Sequence, residues 1–261
     1  MANILDSIAE YARERVRVAK EVLSLEEIKR QALDKNCNTG FPFEKALSSE
    51  GISFICECKK ASPSKGMIAE DFPYIDIARE YEAAGAACIS VLTEPKWFLG
   101  RNEYLKEIAQ EVSIPCIRKD FTVDEYMIYE AKLLGAAAVL LICSLLPTET
   151  LKYYIEVCDS LGLSALVEAH DETEIASAID SGARIIGVNN RNLKNFSVDI
   201  NNSGRLRSIV PKDVLFVAES GIQRREDVEA LERAHVDAVL IGETLMRAAD
   251  KKAMLEVLKG M

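Results

Sequence analysis

Histidine is almost absent from this chain: His170 and His235 are the only two in 261 residues. Its seven cysteines contain no C-x-x-C, so a zinc or other metal centre lacks its usual ligands, and no metal is expected. Cys56 and Cys58 form the one close pair, as C-x-C inside an apolar run. Most of the other thiols also sit in or beside apolar runs, where a reduced cysteine behaves as a small hydrophobe. No apolar stretch approaches the ~20 residues needed to span a bilayer. The start, MANILDSIAEYARERVRVAK, is amphipathic and mixed in charge, without a secretory apolar region or cleavage site, so a cytoplasmic location is expected. No basic stripe offsets the net charge of −10, which argues against nucleic acid as a partner but leaves a small anionic ligand open. The sequence names no protein partner and no oligomeric state.

What is present is a rhythm. AAGAACISVLTE (83–94), LLGAAAVLLICS (133–144), DSGARIIGVNN (180–190) and RAHVDAVLIGE (233–243) resemble one another. In each, a helical stretch ends near glycine or a small polar residue, and a short β-rich run follows and stops at a polar side chain. SIPCIRKDF (113–121), LSALVEAH (163–170) and DVLFVAES (213–220) fit between them, and ISFICECK (52–59) precedes them, giving eight runs. The intervening stretches 75–85, 124–135, 148–162, 171–182 and 225–235 carry apolar residues at three- and four-residue intervals, the helical period. Near-continuous apolar strands alternating with helices indicate a parallel sheet covered by helices. Eight units in about 210 residues indicate an α/β (β/α)8 barrel, the TIM-barrel architecture. A doubly wound open sheet would carry a glycine-rich turn after its first strand, and SPSKG is not G-x-G-x-x-G. Residues 1–261 are thus expected to form one barrel domain. Residues 1–50 are its N-terminal helical extension, with Ser24 and Glu27 at capping-box spacing. Which barrel mouth the extension covers is not legible.

Active sites of such barrels lie at the carboxyl ends of the strands, so Glu57, Glu94, Lys119, Ser144, Glu168, Asn189, Glu219 and Glu243 are expected to converge on one opening. Strand alternation puts Glu57 and Lys59 on one face, and sends Cys56, Arg118, Val167 and Ala218 towards the helices. Glu57 and Lys59 have two readings, a structural ion pair at a strand end or part of a catalytic centre. Gly221 and Gly242 follow strands seven and eight, where these barrels usually bind phosphate. With SPSKG in the first loop and the converging lysines, they point to a phosphorylated small-molecule substrate. A lysine crowded by other cations would have a lowered pKa suited to acid catalysis. His170 reads as a loop or capping residue, and Trp97 as structural or substrate-contacting.

ICECKKASPSKG, IRKDF, LVEAH, IGVNNRNL, AESGI and IGETLM occur in that order, each at a strand end. Together with the NILDSIAEYARERV start and the FPFEKAL stretch, they resemble the indole-3-glycerol phosphate synthase family over nearly the whole chain. The resemblance implies a (β/α)8 barrel, without metal or organic cofactor, acting in tryptophan biosynthesis. It converts 1-(o-carboxyphenylamino)-1-deoxyribulose 5-phosphate into indole-3-glycerol phosphate, CO2 and water. It implies Lys119 as the general acid, Glu168 as an acid/base in dehydration, and Glu57, Lys59, Asn189, Arg191 and Glu219 as further catalytic residues. Ser62, Ser220, Gly221, Gly242 and Glu243 fall where the family holds phosphate and the ribulose chain, and Phe98, Phe121 and Phe196 are candidates for the wall around the anthranilate ring. Phosphoribosylanthranilate isomerase on the same fold, with a cysteine base after strand one, is one alternative. A catalytically silent barrel serving as a binding subunit is the other.

Overall fold

The computed structural model describes residues 4–192 and 196–261. Asn3 and Leu193, which belong to two of the motifs above, lie outside the described residues. Eight parallel strands close into a barrel in sequence order: β1 (Ser53–Cys58), β2 (Cys88–Leu92), β3 (Cys116–Lys119), β4 (Ala138–Ile142), β5 (Ser164–Ala169), β6 (Ile185–Asn189), β7 (Leu215–Glu219) and β8 (Ala238–Ile241). β8 returns to β1 with Ser53 opposite Ala238 and Cys56 opposite Ile241, so no sheet edge is left open. The strands are buried almost throughout, as expected when one face fills the barrel and the other carries helices.

Helices follow the strands as α4 (Tyr74–Ala83), α5 (Asn102–Glu111), α6 (Tyr126–Leu133), α7 (Thr148–Ser160), α8 (Glu172–Asp180), α9 (Asn201–Arg207), α10 (Arg225–Arg233), α11 (Glu243–Arg247) and α12 (Lys251–Lys259). Two apolar clusters result. The outer one joins Cys56, Cys58, Ile89, Val167, Ala218 and their neighbours to the helices. The inner one holds Ile55, Ile117, Leu140, Leu166, Val217 and Leu240. Arg118 also points outward, fully buried, donating to the Met127 carbonyl, Thr93, Asn102 and Glu130. A guanidinium tolerates that burial because its donors are used.

The extension contains α1 (Ile4–Val22), α2 (Leu25–Leu33) and α3 (Pro42–Leu47), and it covers both mouths. Leu5 and Ile8 of α1 project over the carboxyl mouth. Arg15 makes a two-pronged ion pair to Asp120 just after β3 (2.7 and 3.1 Å), and Lys20 reaches Asp124 at 2.7 Å. Phe43 and Leu47 of α3 plug the amino mouth inside the inner cluster, while Arg184, just before β6, clamps Glu44 at 2.9 and 3.0 Å. Each buried Leu, Ile or Phe of these plugs contributes about 1.5–3 kcal/mol. Ser24 caps α2 by accepting from the Glu27 N–H at 3.2 Å. The Glu27 carboxylate does not close the box, because Arg30 and Gln31 on its own helix engage it at 2.7 and 2.8 Å. Gly162 shows why the extension fits closely. Its φ is +66°, and a Cβ there would lie 2.2 Å from the Cys37 carbonyl oxygen.

Candidate active site

A cavity of about 910 Å³ opens at the carboxyl mouth, within the range that holds small-molecule ligands. It is lined by Glu57, Lys59, Ser62, Phe98, Lys119, Phe121, Glu168, Asn189, Arg191, Phe196, Glu219, Ser220, Gly221, Gly242 and Glu243, bringing together every site residue expected from the sequence. Two of the eight strand-closing residues do not join them. Ser144 is exposed outside the cavity. Glu94 is completely buried and accepts the backbone N–H groups of Lys96, Trp97 and Phe98 at 2.9, 2.7 and 3.0 Å, so it holds the loop that presents Phe98. Trp97 packs edge-on against Tyr11 of α1 at 5.8 Å and is not part of the cavity lining.

Lys119 stands between two carboxylates, 2.9 Å from Glu219 Oε2 and 3.4 Å from Glu168 Oε2. Lys59 Nζ lies 3.0 Å from Glu57 Oε2. Burial by itself would lower the Lys119 pKa, but Glu219, Glu168 and Glu57 outweigh it and raise the pKa. The expected crowding by cations is therefore corrected, since the nearest charges are anions. Glu168 has the opposite balance: burial pushes it up, Lys119 and His170 pull it further down, and its pKa is lowered. Glu219 is raised to about 7, first by burial and then by the anions Glu168 and Glu57, against the pull of Lys119. Three neighbouring acids thus hold protons differently, which suits one site to both acid and base steps.

Glycines make room for these groups. A Cβ on Gly187 would lie 2.4 Å from Glu219 Oε1, and one on Gly242 would lie 2.7 Å from Lys59 Nζ and 2.9 Å from Glu57 Oε2. Glycine in a strand interior weakens the strand, so Gly187 exchanges stability for carboxylate space.

On the other side of the cavity, Ser220 (φ 67°) and Gly221 (φ 86°) form a left-handed turn. Asn190 holds it, its side chain donating to the Ser220 carbonyl at 3.1 Å while accepting from Ser203 Oγ at 2.7 Å. Glu243 is ringed by Lys65, Arg191 and Arg247 at 3.4, 3.8 and 3.2 Å. Despite its partial burial, Lys65 and then Arg247 lower its pKa. Phe98 and Phe121 face each other at 6.0 Å. Phe196 stands two residues before Val198, which bridges to Arg191.

Sequence reasoning missed Gly187, Asn190, Lys65, Arg247 and the roof residues Leu5 and Ile8. Lys65 and Asn190 stand inside quoted motifs and could have been found there. Nothing in α1 marks which of its apolar residues faces the mouth. Among the described residues, no group of three or more His, Cys, Asp or Glu side chains could hold a metal ion, and no helix is long and apolar enough to cross a membrane.

The family model described as indole-3-glycerol phosphate synthase matches residues 5–258. The chain belongs to this family. An indole-3-glycerol phosphate synthase of Ruminiclostridium cellulolyticum is 59% identical over 257 residues, covering 98% of this chain and 99% of that protein. One of Lachnoclostridium phytofermentans is 51% identical over 269 residues, covering 99% of each. Among solved structures, thiamine phosphate pyrophosphorylase from Pyrococcus furiosus aligns with a TM-score of 0.61 at 16% identity, over 80% of this chain and 94% of that one. A chain of the tryptophan synthase complex from the same organism aligns at 0.60 and 15%, over 81% and 99%. Likenesses that remote show the shared barrel fold. The activity is carried by the family match and by the residues at the mouth.

Proposed function

We propose that this chain closes the indole ring, converting 1-(o-carboxyphenylamino)-1-deoxyribulose 5-phosphate into indole-3-glycerol phosphate with release of CO2 and water. The observation that carries the reading is Lys119 held between Glu168 and Glu219, with an anion cradle on one side of it and an aromatic wall on the other.

The phosphate belongs against the Ser220–Gly221 turn and Gly242, where Lys65, Arg191 and Arg247 already gather round Glu243. The anthranilate ring belongs among Phe98, Phe121 and Phe196, beneath Leu5 and Ile8. This leaves the ketone carbon between them, beside Lys119.

As the aromatic carbon attacks that carbon, the ketone oxygen gains negative charge and Lys119 donates a proton to it. Anions raise the Lys119 pKa, so the ammonium stays fully charged and ready to donate at neutral pH. Carbon dioxide then leaves the ring carbon that made the attack, its bonding pair restoring the aromatic ring, a step favoured where the carboxylate loses water among apolar rings. Loss of the new hydroxyl as water needs an acid to protonate it and a base to take the balancing proton. We assign these roles to Lys59 and to the carboxylate of Glu168, which a lowered pKa keeps ionised.

The isomerase alternative requires a cysteine base at the first strand. Cys56 and Cys58 turn away from the cavity, and burial pushes both thiols far up. A silent binding barrel would not need three buried carboxylates at its mouth, each costly to desolvate.

Supplying the carboxyphenylamino-deoxyribulose phosphate and following the indole chromophore tests the reading. Formation of indole-3-glycerol phosphate with stoichiometric CO2 is expected, and folded protein that yields no indole product would overturn it.

A further inference from the structure

His170 is the first residue after β5, two positions beyond Glu168 and outside the cavity lining. Glu174 Oε2 accepts both its backbone N–H at 2.8 Å and its ring Nδ1 at 2.9 Å. A carboxylate only accepts, so Nδ1 carries a proton, and in the neutral ring Nε2 carries a lone pair. Nε2 is buried and, among the described residues, has no hydrogen-bond partner. It stands 3.6 Å from Glu168 Oε1, about half an ångström beyond hydrogen-bond reach, a gap that a small side-chain rotation closes. A loop cap needs only Nδ1. Capping leaves the buried Nε2 unused, and it faces an acid/base carboxylate.

We propose that His170 is a positioning residue that returns Glu168 to its carboxylate form between turnovers. The inference rests on the function proposed above. Once Glu168 has taken a proton, its O–H bond breaks and the electron pair stays on the carboxylate. An Nε2–H bond forms from the imidazole lone pair, giving the imidazolium. The Nε2–H bond then breaks to water as the ring swings outward about its Nδ1–Glu174 hydrogen bond, the electron pair returning to Nε2. The side chain keeps 19% accessibility, although Nε2 itself is buried at rest. The path carries the proton away from the substrate, so Glu168 is reset while the cavity mouth is still occupied.

The groups facing His170 are consistent with this. Glu168 approaches from β5, Glu174 from α8 and Glu219 from β7, while Asn202 of α9 donates to the His170 carbonyl. The Cys143 thiol after β4 interacts with the Glu168 and Glu174 carboxylates rather than with the ring, and Asp171, the cap of α8, accepts the Glu174 backbone N–H. Burial alone would disfavour the imidazolium, but the Glu174 hydrogen bond and the charges of Glu168, Glu174 and Glu219 outweigh it and raise the pKa. The ring is therefore able to hold a proton near neutral pH.

With only two histidines in the chain, nitrogen NMR on isotope-labelled protein resolves both imidazoles without any turnover. The neutral His170 ring is expected as the Nδ1–H tautomer. Its titration midpoint should fall by about one pH unit in Glu168→Gln, because an anion favouring the imidazolium is removed. An unmoved midpoint, or an Nε2–H tautomer, would overturn the relay. In kinetics, His170→Asn keeps a donor towards Glu174 but has no base at the Nε2 position. Its kcat should fall roughly tenfold with KM nearly unchanged, and imidazole buffer should restore part of the loss. Loss of a mere cap would lower the thermal midpoint yet leave kcat and its pH profile as in the parent, and that result overturns the proposal. Should His170→Asn not fold, Glu174→Gln keeps the acceptor while removing the charge. It is expected to move the His170 midpoint and the acidic limb of kcat down together, and an unchanged limb refutes the relay. Absence of turnover in the unaltered enzyme would instead strike the functional reading, leaving the NMR coupling to be judged by itself.

Discussion

Lys119 and Glu219 meet at 2.9 Å although they come from strands on opposite sides of the barrel, β3 and β7. Their contact spans the mouth, and Glu168 of β5 completes the triangle. Protonating Glu219 removes one of the anions that raise the Lys119 pKa, so the lysine becomes a better acid when its neighbour is neutral. The two groups therefore titrate as a unit.

Replacing Lys119 tests its role as the acid. Lys119→Ala is expected to fold, with far-ultraviolet dichroism like the parent, while kcat falls by roughly two to four orders of magnitude. Near-normal turnover in this variant would remove Lys119 from the mechanism.

Glu219 makes stability depend on pH with a definite sign. Its folded pKa, about 7, exceeds the ordinary 4.5, so the folded state prefers the protonated acid. This group's contribution is fully present below 4.5 and disappears as pH rises through about 7. Glu219→Gln cannot ionise, so its denaturation midpoint should fall less than the parent's across that window. Parallel pH curves for the two proteins would count against the raised pKa.

The Arg15–Asp120 ion pair fastens the roof helix beside Lys119. Asp120 is wholly buried, and its pKa is lowered because Arg15 and Arg118 outweigh the effect of burial. Arg15→Met strands that charge and should cost about 2–4 kcal/mol in chemical denaturation. KM should rise as α1 loosens over the cavity. A variant with parental stability and KM would show that the clamp is dispensable.

Asn190 and the strained turn at Ser220 make a paired prediction. Asn190→Ala frees a backbone that a non-glycine residue adopts reluctantly, and should raise KM several-fold with a smaller change in kcat. Adding Ser220→Gly makes the left-handed turn inexpensive and should recover part of the phosphate affinity, measured with inorganic phosphate as a competitive inhibitor. Strictly additive losses in the double variant would refute the coupling.

The fold was legible because it rests on repetition, as eight apolar runs with intervening helical periods admit few architectures. Strand alternation also separated the inward Glu57 and Lys119 from the outward Cys56 and Arg118, since it needs only the period of two. What alternation cannot give is where a side chain turns beyond the strand end. Glu94 and Ser144 close their runs like the others, yet one folds back on its own loop and the other faces solvent. The charge environment of Lys119 was misread for a related reason. Lysines and arginines are prominent in the motifs, but the partners within 3.5 Å come from strands 49 and 100 residues away, and those are glutamates. His170 looked like a cap, and through Nδ1 it is one. Its second nitrogen becomes informative only when Glu168 is seen beside it.

The two plugs of the extension give the molecule a mechanical order. α1 roofs the carboxyl mouth and α3 stops the opposite end, on one strap of chain that crosses the barrel wall by way of α2. Tension applied at the first described residues would peel the roof before it reached the floor. A gentle pull should thus open the cavity to solvent while the barrel beneath it still stands.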